Sequence, residues 1–315
     1  KKPIPKTRHM KRLLLKSDAL LLLTAIIWGF AFVAQRKGME YVGPFTFNAV
    51  RFALGSVFLI PFLVGRRRRR ARGGDGPPFI AKVALSGCGL AGVALFMGAS
   101  LQQTGIVYTT AGKAGFITGI YVIIVPILGF FIGQRSGIGT WIGACCAVVG
   151  LHFLSLSGRF SFSHGDLLVL GGAFFWAAHV LIIGWLTSWV APLVLAFLQY
   201  AACAALSFMA AMLVEAISAE ALLRAAVPIL YGGVLSTGIA YTLQVVAQRT
   251  AHPSHAAIIL SLEAVFAALG GWLLLDETLP LRGWFGCALI LAGIFASELT
   301  HRGKLRGGSV RAIST

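Results

Sequence analysis

The residue in this chain best placed to do chemistry is a carboxylic acid in the middle of a long apolar run. Glu263 is the one acidic residue deep inside such a run, nine positions in from Ser254. Burial disfavours the charged form of a carboxyl group, so an acid held there is suited to taking up and releasing a proton. A purely structural, hydrogen-bonded carboxyl is the plainer alternative. Eight residues before it stands His255, a side chain that titrates near neutrality, and the two form a candidate proton-coupling pair. The same spacing recurs at Lys113 and Tyr121. Eight residues carry an α-helix two turns and about 80° further, so each pair shares one helix side, read here as an inward face.

Arg51, also inside an apolar run, either binds an anionic group of a substrate or clamps helix ends through backbone carbonyls. Tyr241, Gln244 and Gln248 fall at i, i+3 and i+7, and Ser100, Gln102 and Gln103 cluster in another run. Such polar stripes either line a wet cavity or bond one helix to the next. Trp28 and Trp176 each lie too deep for an interfacial aromatic belt, which leaves packing between helices or stacking on a substrate. His179, one turn past Trp176, is either a neutral helix-bonding imidazole or a proton relay. The candidate substrate-binding set is Trp28, Arg51, Gln103, Lys113, Tyr121, Trp176, His179, Tyr241, Gln244 and Glu263, with Glu263 and His255 for proton coupling.

What positions these residues is a set of membrane helices. The chain is 57% hydrophobic and 12% charged, with a mean hydropathy of +0.84, whereas a soluble domain carries about 25% charged residues. Ten runs are long enough to cross a bilayer: 18–36, 44–64, 79–102, 111–132, 138–156, 166–186, 192–213, 226–248, 254–275 and 280–299. Backbone groups in lipid must be satisfied internally, so the runs are helices, and the fold class is all-α integral membrane. Breakers separate them, among them Gly43-Pro44, Gly73 to Pro78, Gly158 to Gly165, Ala191-Pro192, His252-Pro253 and Leu279-Pro280. A short interfacial helix is expected within residues 214–225.

The net charge of +17 does not indicate nucleic acid, because the Lys and Arg residues concentrate in the two tails and the Arg66–Arg72 loop. With the N-terminus inside, twenty of them fall on inside segments and six on outside ones, which sets both termini on the cytoplasmic side of a cell (inner) membrane. The basic segments then face anionic lipid headgroups. Met10-Lys11-Arg12 reads as a translation start, so residues 1–9 are left out of the fold reasoning, and the first apolar run shows no cleavage pattern. The five cysteines all sit in apolar runs without metal or redox spacing, and no cofactor or metal ligand set is expected. A phosphate-binding Gly-rich loop, HExxH and GxSxG are all lacking from the sequence, so no enzymatic centre is expected.

The runs repeat. Asp18, Trp28 and Pro44 recur 148 positions later as Asp166, Trp176 and Pro192. Later in each half the offset is 142–143, setting Lys113 on His255, Tyr121 on Glu263, Trp141 on Trp284 and Gly150 on Gly293. Five crossings per half is an odd number, so the second half enters from the opposite face and the ten helices form two inverted five-helix repeats. The expected divisions are a basic tail 1–17, a first repeat 18–157, a linker 158–165, a second repeat 166–299 and a basic tail 300–315.

The text Trp28-Gly29-Phe30-Ala31-Phe32, Arg51-Phe52, Tyr108 to Phe116, Gly165-Asp166, Trp176-Ala177, Ser261 to Phe266 and Asp276-Glu277 through Gly293 resembles the drug/metabolite transporter superfamily in its ten-helix EamA-type form, over roughly residues 15–300. The family often has proline after the acid of the ninth span, where this chain has Ala264; the first half keeps Pro126. The resemblance implies a secondary transporter of small metabolites, often an exporter, with a central cavity between the halves. The aromatic and amide residues point to a small polar or amphipathic solute, such as an amino acid, moved by alternating access with possible proton coupling through Glu263. A channel-like facilitative carrier and an intramembrane enzyme are the alternatives. The partners expected are a small-molecule substrate and the bilayer, with a monomer or homodimer both open.

Overall fold

The computed structural model describes residues 7–71, 81–134, 136–155, 163–278 and 280–311 of the 315-residue chain. The Gly73 to Pro78 breaker, Arg72, Arg135, Leu279, the first part of the 158–165 linker and the chain ends 1–6 and 312–315 lie outside the described residues. Among those described the secondary structure is helical throughout. Eight helical segments are long and apolar enough to cross a membrane, and two shorter apolar ones, Ile138–Phe153 and Leu281–Ala296, bring the number to ten. Large apolar side chains such as Val57, Leu90, Phe174 and Phe208 point outward, the pattern of a surface that faces lipid.

In chain order, α1 (Thr7–Gly38), α2 (Pro44–Ala71) and α3 (Ala81–Ile106) are single spans. The fourth span is α4 (Ala111–Gly119) with α5 (Tyr121–Phe131), and the fifth is α6 (Ile138–Ser155). In the second half, α7 (His164–Leu186) and α8 (Pro192–Val214) are single spans, followed by the short α9 (Ala219–Arg224) expected between residues 214 and 225. The eighth span is α10 (Ala226–Leu230), a π-helical segment (Tyr231–Tyr241) and α11 (Thr242–Ala247). The ninth is α12 (Pro253–Leu260) with α13 (Glu263–Leu274), and the tenth is α14 (Leu281–Arg311).

The helices outrun the tails expected at their ends. α1 is helical from Thr7 and α14 continues through Arg311, since Lys and Arg are good helix formers once a helix has been nucleated. Asp18 therefore lies inside α1 and is not an N-terminal residue, whereas its mate Asp166 completes a capping box with Ser163 at the start of α7.

Packing between the halves obeys the repeat. The second span packs on the seventh and the fifth on the tenth, each its own mate. The third packs on the sixth as the eighth does on the first, and the first on the ninth as the sixth does on the fourth. The fifth–tenth crossing is built from glycine in both directions. A Cβ on Gly150 would meet Gly286 O at 2.6 Å, and one on Gly293 would meet Gly143 O at 2.8 Å. Lipid tails are as apolar as leucine, so close backbone approach is what drives such contacts.

The fourth and ninth spans both break just before a candidate site residue. α4 ends ahead of Ile120 and Tyr121, and α12 ends ahead of Ser261, Leu262 and Glu263. The ninth span bends although Ala264 replaces the family proline. Ser261 Oγ donates to Ile258 O at 2.7 Å, and the backbone tightens to i→i+3 bonds from Leu262 N to Ile259 O and from Ala264 N to Ser261 O. A serine that bonds back to the preceding turn bends a helix without proline.

The glycine crossing gives a direct test. Gly150→Ala forces two backbones apart and is expected to lower the thermal unfolding midpoint of the detergent-solubilised protein by an amount corresponding to roughly 1–3 kcal/mol of overpacking. Gly89→Ala, where an added Cβ meets nothing within 4 Å, is the control expected to leave the midpoint in place.

Candidate functional site

A pocket with about 450 Å³ of empty space, open solvent included, lies between the halves. Its walls include Trp28 of α1, Arg51 of α2, Tyr121 of α5, Trp176 and His179 of α7, Tyr241 and Gln244 of the eighth span, and Glu263 of α13. Eight of the ten candidate substrate residues are thus brought together from six spans. Gln103, Lys113 and His255 are not on the cavity wall.

The aromatic part of the wall is organised around Tyr241. Its ring centroid is 4.4 Å from that of Trp28, 6.0 Å from Trp176 and 6.0 Å from Phe52. The two mated tryptophans hold their positions by different bonds. Trp176 Nε1 donates to Gln102 Oε1 at 2.9 Å, and Trp28 Nε1 to the backbone oxygen of Ser236 at 3.3 Å. His179 Nε2 lies 2.7 Å from Gln199 Oε1, which makes it a helix-bonding imidazole at the cavity edge.

Two side chains of opposite sign when ionised stand on this wall without meeting. Arg51, 1% exposed, donates from Nε to Asn48 Oδ1 at 2.9 Å and rests with its guanidinium carbon 4.7 Å from the Phe52 ring centre. Its Nη2 has no hydrogen-bond partner. Gly232 and Gly233 of the π-helical segment leave room for Arg51 and Leu54. Glu263, 4% exposed, shares the wall with Tyr121, whose buried hydroxyl has no hydrogen-bond partner, and among the described residues no cation lies within ion-pair distance of it.

Lys113 and His255 prove to be one position used twice. Lys113 Nζ lies 2.6 Å from Asp166 Oδ2, and His255 Nε2 lies 2.9 Å from Asp18 Oδ1. Each pair ties one half to the other, and the inversion puts the two on opposite faces. The shared inward face expected of Lys113 with Tyr121, and of His255 with Glu263, assumed unbroken helices. The breaks at Ile120 and at Ser261-Leu262 turn the second member of each pair into the cavity and leave the first at the face.

The Lys113 face carries further ties. Thr109 Oγ1 also donates to Asp166, at 2.9 Å. Glu277 accepts from the backbone N–H groups of Ala111 and Gly112 at 2.8 and 3.0 Å, and Glu215 accepts from those of Phe45 and Thr46 at 2.8 Å each. Both carboxylates come from the second half and satisfy exposed N-termini of first-half helices. On the opposite face hydroxyl contacts, Ser17 with Thr250 and Ser136 with Ser254, accompany the Asp18–His255 pair.

Gln35, Thr118 and Gln102 also line the cavity and were not among the candidates. Gln35 is seven residues after Trp28, on the same side of α1, a spacing that would have found it. Gln102 and Gln103 are neighbours about 100° apart on the helix. Gln102 faces the cavity, while Gln103 Nε2 donates to Gln35 O at 3.3 Å. No group of three or more metal-ligating side chains occurs among the described residues.

Comparison with known proteins is consistent with this geometry. A solved crystal structure superposes with a TM-score of 0.68 at 20% identity, over 90% of this chain and 96% of that one, a likeness of fold. An uncharacterized transporter of Archaeoglobus fulgidus is 34% identical over 289 residues, 90% of this chain and 86% of that protein. The uncharacterized transporter YoaV of Bacillus subtilis is 26% identical, over 89% and 96% of the two chains. The uncharacterized inner membrane transporter YedA of Escherichia coli K12 is 26% identical over 93% of each. Residues 15–156 and 163–298 each match the EamA-like transporter family, one match per five-helix half, and the chain is a multi-span membrane protein that belongs to that family.

Proposed function

We propose that this membrane transporter is a secondary carrier of small amphipathic metabolites of the amino-acid type, most simply an exporter, working by alternating access in the cell (inner) membrane with both termini cytoplasmic. The observation that carries the reading is a pair of buried ionisable side chains without ion-pair partners, Arg51 and Glu263, on one aromatic-walled cavity between inverted halves. A lone buried cation is costly unless an anion reaches it, so Arg51 is the site for a substrate carboxylate. Glu263 is the proton carrier, protonated when the cavity faces the more acidic side. Trp28, Trp176 and Tyr241 receive the apolar part of the substrate.

The mated side-chain pairs supply the gates. Lys113–Asp166 and His255–Asp18 join the halves at opposite faces, so rocking one half against the other opens one joint while the other stays closed. The first repeat is taken as 18–157 and the second as 166–299, with this motion between them.

In vesicles containing the purified protein, saturable counterflow of amino acids tests the carrier mechanism, and flux without counterflow would mark a channel. Glu263→Gln is expected to abolish accumulation driven by a pH gradient and to leave exchange at equal pH. Accumulation that persists in this variant removes Glu263 from the mechanism.

The joint at Asp166 yields a stability prediction. Lys113→Met takes the ammonium from a fully buried carboxylate that keeps its hydroxyl and amide donors. Removing one partner of a buried pair costs about 3–5 kcal/mol, and with Lys113 about a third exposed the loss is expected at or below the lower end. A double-mutant cycle with Asp166→Asn, read by thermal unfolding, should show clear coupling. Additive effects would mean that the pair does not hold the joint.

A further inference from the structure

The repeat lays one glutamine on another, and the two are used differently. The offset of 142 that sets Lys113 on His255 also sets Gln102 on Gln244. Contacts bear out the register. Thr24 Oγ1 donates to Ala240 O at 3.2 Å, and at the mated place a Cβ on Gly172 would meet Gly98 O at 3.2 Å.

Gln102 is saturated. Its Nε2 donates to Gln35 Oε1 at 2.9 Å, and its Oε1 accepts from Trp176 Nε1 at 2.9 Å and from Thr118 Oγ1 at 3.3 Å. By symmetry Trp28 should serve Gln244 in the same way, but Trp28 donates to Ser236 O instead. Gln244 is 1% exposed, lines the cavity, and its Oε1 has no partner. The backbone departs from symmetry at the same place. Gln102 sits in the continuous helix α3, whereas Gln244 follows directly on the π-helical segment Tyr231–Tyr241. π-Helical turns are rare and occur frequently at functional sites.

We propose that Gln244 is where the cavity reads its substrate, with Oε1 accepting a hydrogen bond from a substrate amine, and that its twin Gln102 is a strut that fixes Trp176. The inference rests on the transport reading above and assigns the second pole of the solute. Arg51 Nη2, an unpartnered donor of a residue on the same wall, takes the carboxylate, and Gln244 takes the amine, which leaves Glu263 free to carry a proton. A neutral amide suits this task, since it binds an ammonium group without neutralising the acid that must titrate. An acceptor buried without a partner is unfavourable, so the occupied site is favoured over the empty one. Sites built around such a group discriminate strongly against analogues that lack the donor.

The test compares Gln244→Met with Gln102→Met in the purified full-length protein. L-Leucine and 4-methylpentanoate, which differ only in the amine, serve as probes in thermal-shift and counterflow measurements. Without ligand, Gln244→Met should leave the unfolding midpoint unchanged or raised, because it removes an unmet acceptor. Gln102→Met should lower it, because it strands the Trp176 N–H. With ligand, the wild type should prefer leucine over 4-methylpentanoate. Gln244→Met should bind leucine at least about tenfold more weakly, a loss of 1.4 kcal/mol or more, and lose the preference. Gln102→Met should keep it, and Gln244→Glu, which retains an acceptor, should keep or strengthen it.

A preference for leucine that survives in Gln244→Met overturns the proposal, as does an equal loss of stability in the two Met variants. A wild type that responds to neither probe refutes the amino-acid reading of the cavity instead, and the unliganded midpoints then decide by themselves between strut and open acceptor. If Gln244→Met fails to fold while Gln102→Met folds, the assignment of roles is wrong.

Discussion

Inside a bilayer there is no water to receive an unused hydrogen bond, and this structure depends on how each polar group meets that condition. The backbone meets it by forming helices. At the helix ends, the N–H groups that open α2 and α4 are met by Glu215 and Glu277 from the other half of the molecule. A carboxylate used in this way does two jobs, since it caps one helix and holds the two halves in register. Among the buried side-chain atoms that do not meet it, Arg51 Nη2, Tyr121 Oη and Gln244 Oε1 belong to residues of the cavity wall, while others, such as Asn48 Nδ2, Gln103 Oε1 and Gln199 Nε2, lie elsewhere in the helix packing.

Inversion gives the structure two of every joint, one on each face, and the differences between mates are where the two faces acquire different properties. Lys113 and His255 occupy the same place and meet the mated acids Asp166 and Asp18. The Lys113 face is also tied by the two capping carboxylates, and the opposite face by hydroxyl contacts. Tyr121 and Glu263, likewise mates, both stand at the start of a half-helix after a break, and only one of them is an acid. A symmetric frame thus holds an asymmetric site.

Close packing has to substitute for the hydrophobic drive that lipid cannot supply. Glycines at the α6–α14 crossing let backbones touch in both directions. Gly29 does the same between α1 and α13, where an added Cβ would fall 2.2 Å from Phe266 Cβ. This second contact fixes α13, and with it Glu263, against the helix that carries Trp28. Both crossings join one half of the molecule to the other, so the cavity between them is framed by close backbone contacts.

Hydropathy and residue spacing by themselves determined the ten helices, their pairing into inverted halves and most of the cavity wall, because span length, odd span number and repeat offset are properties of one dimension. Trp28, Arg51, Tyr121, Trp176, His179, Tyr241, Gln244 and Glu263 were legible as polar or aromatic residues too deep in apolar runs to be there without cause. Tertiary structure alone decided which polar residues face each other. It moved Lys113 and His255 out of the site, because helix breaks at Ile120 and Ser261-Leu262 cancelled the facing that eight-residue spacing implies. It chose Gln102 over its neighbour Gln103, since the direction of a helix face is set by what packs against it. It also told apart the twin glutamines Gln102 and Gln244, alike in sequence environment, by the partners that reach one and not the other. A hydrogen bond needs two groups at once, and the chain order of either one does not contain the other.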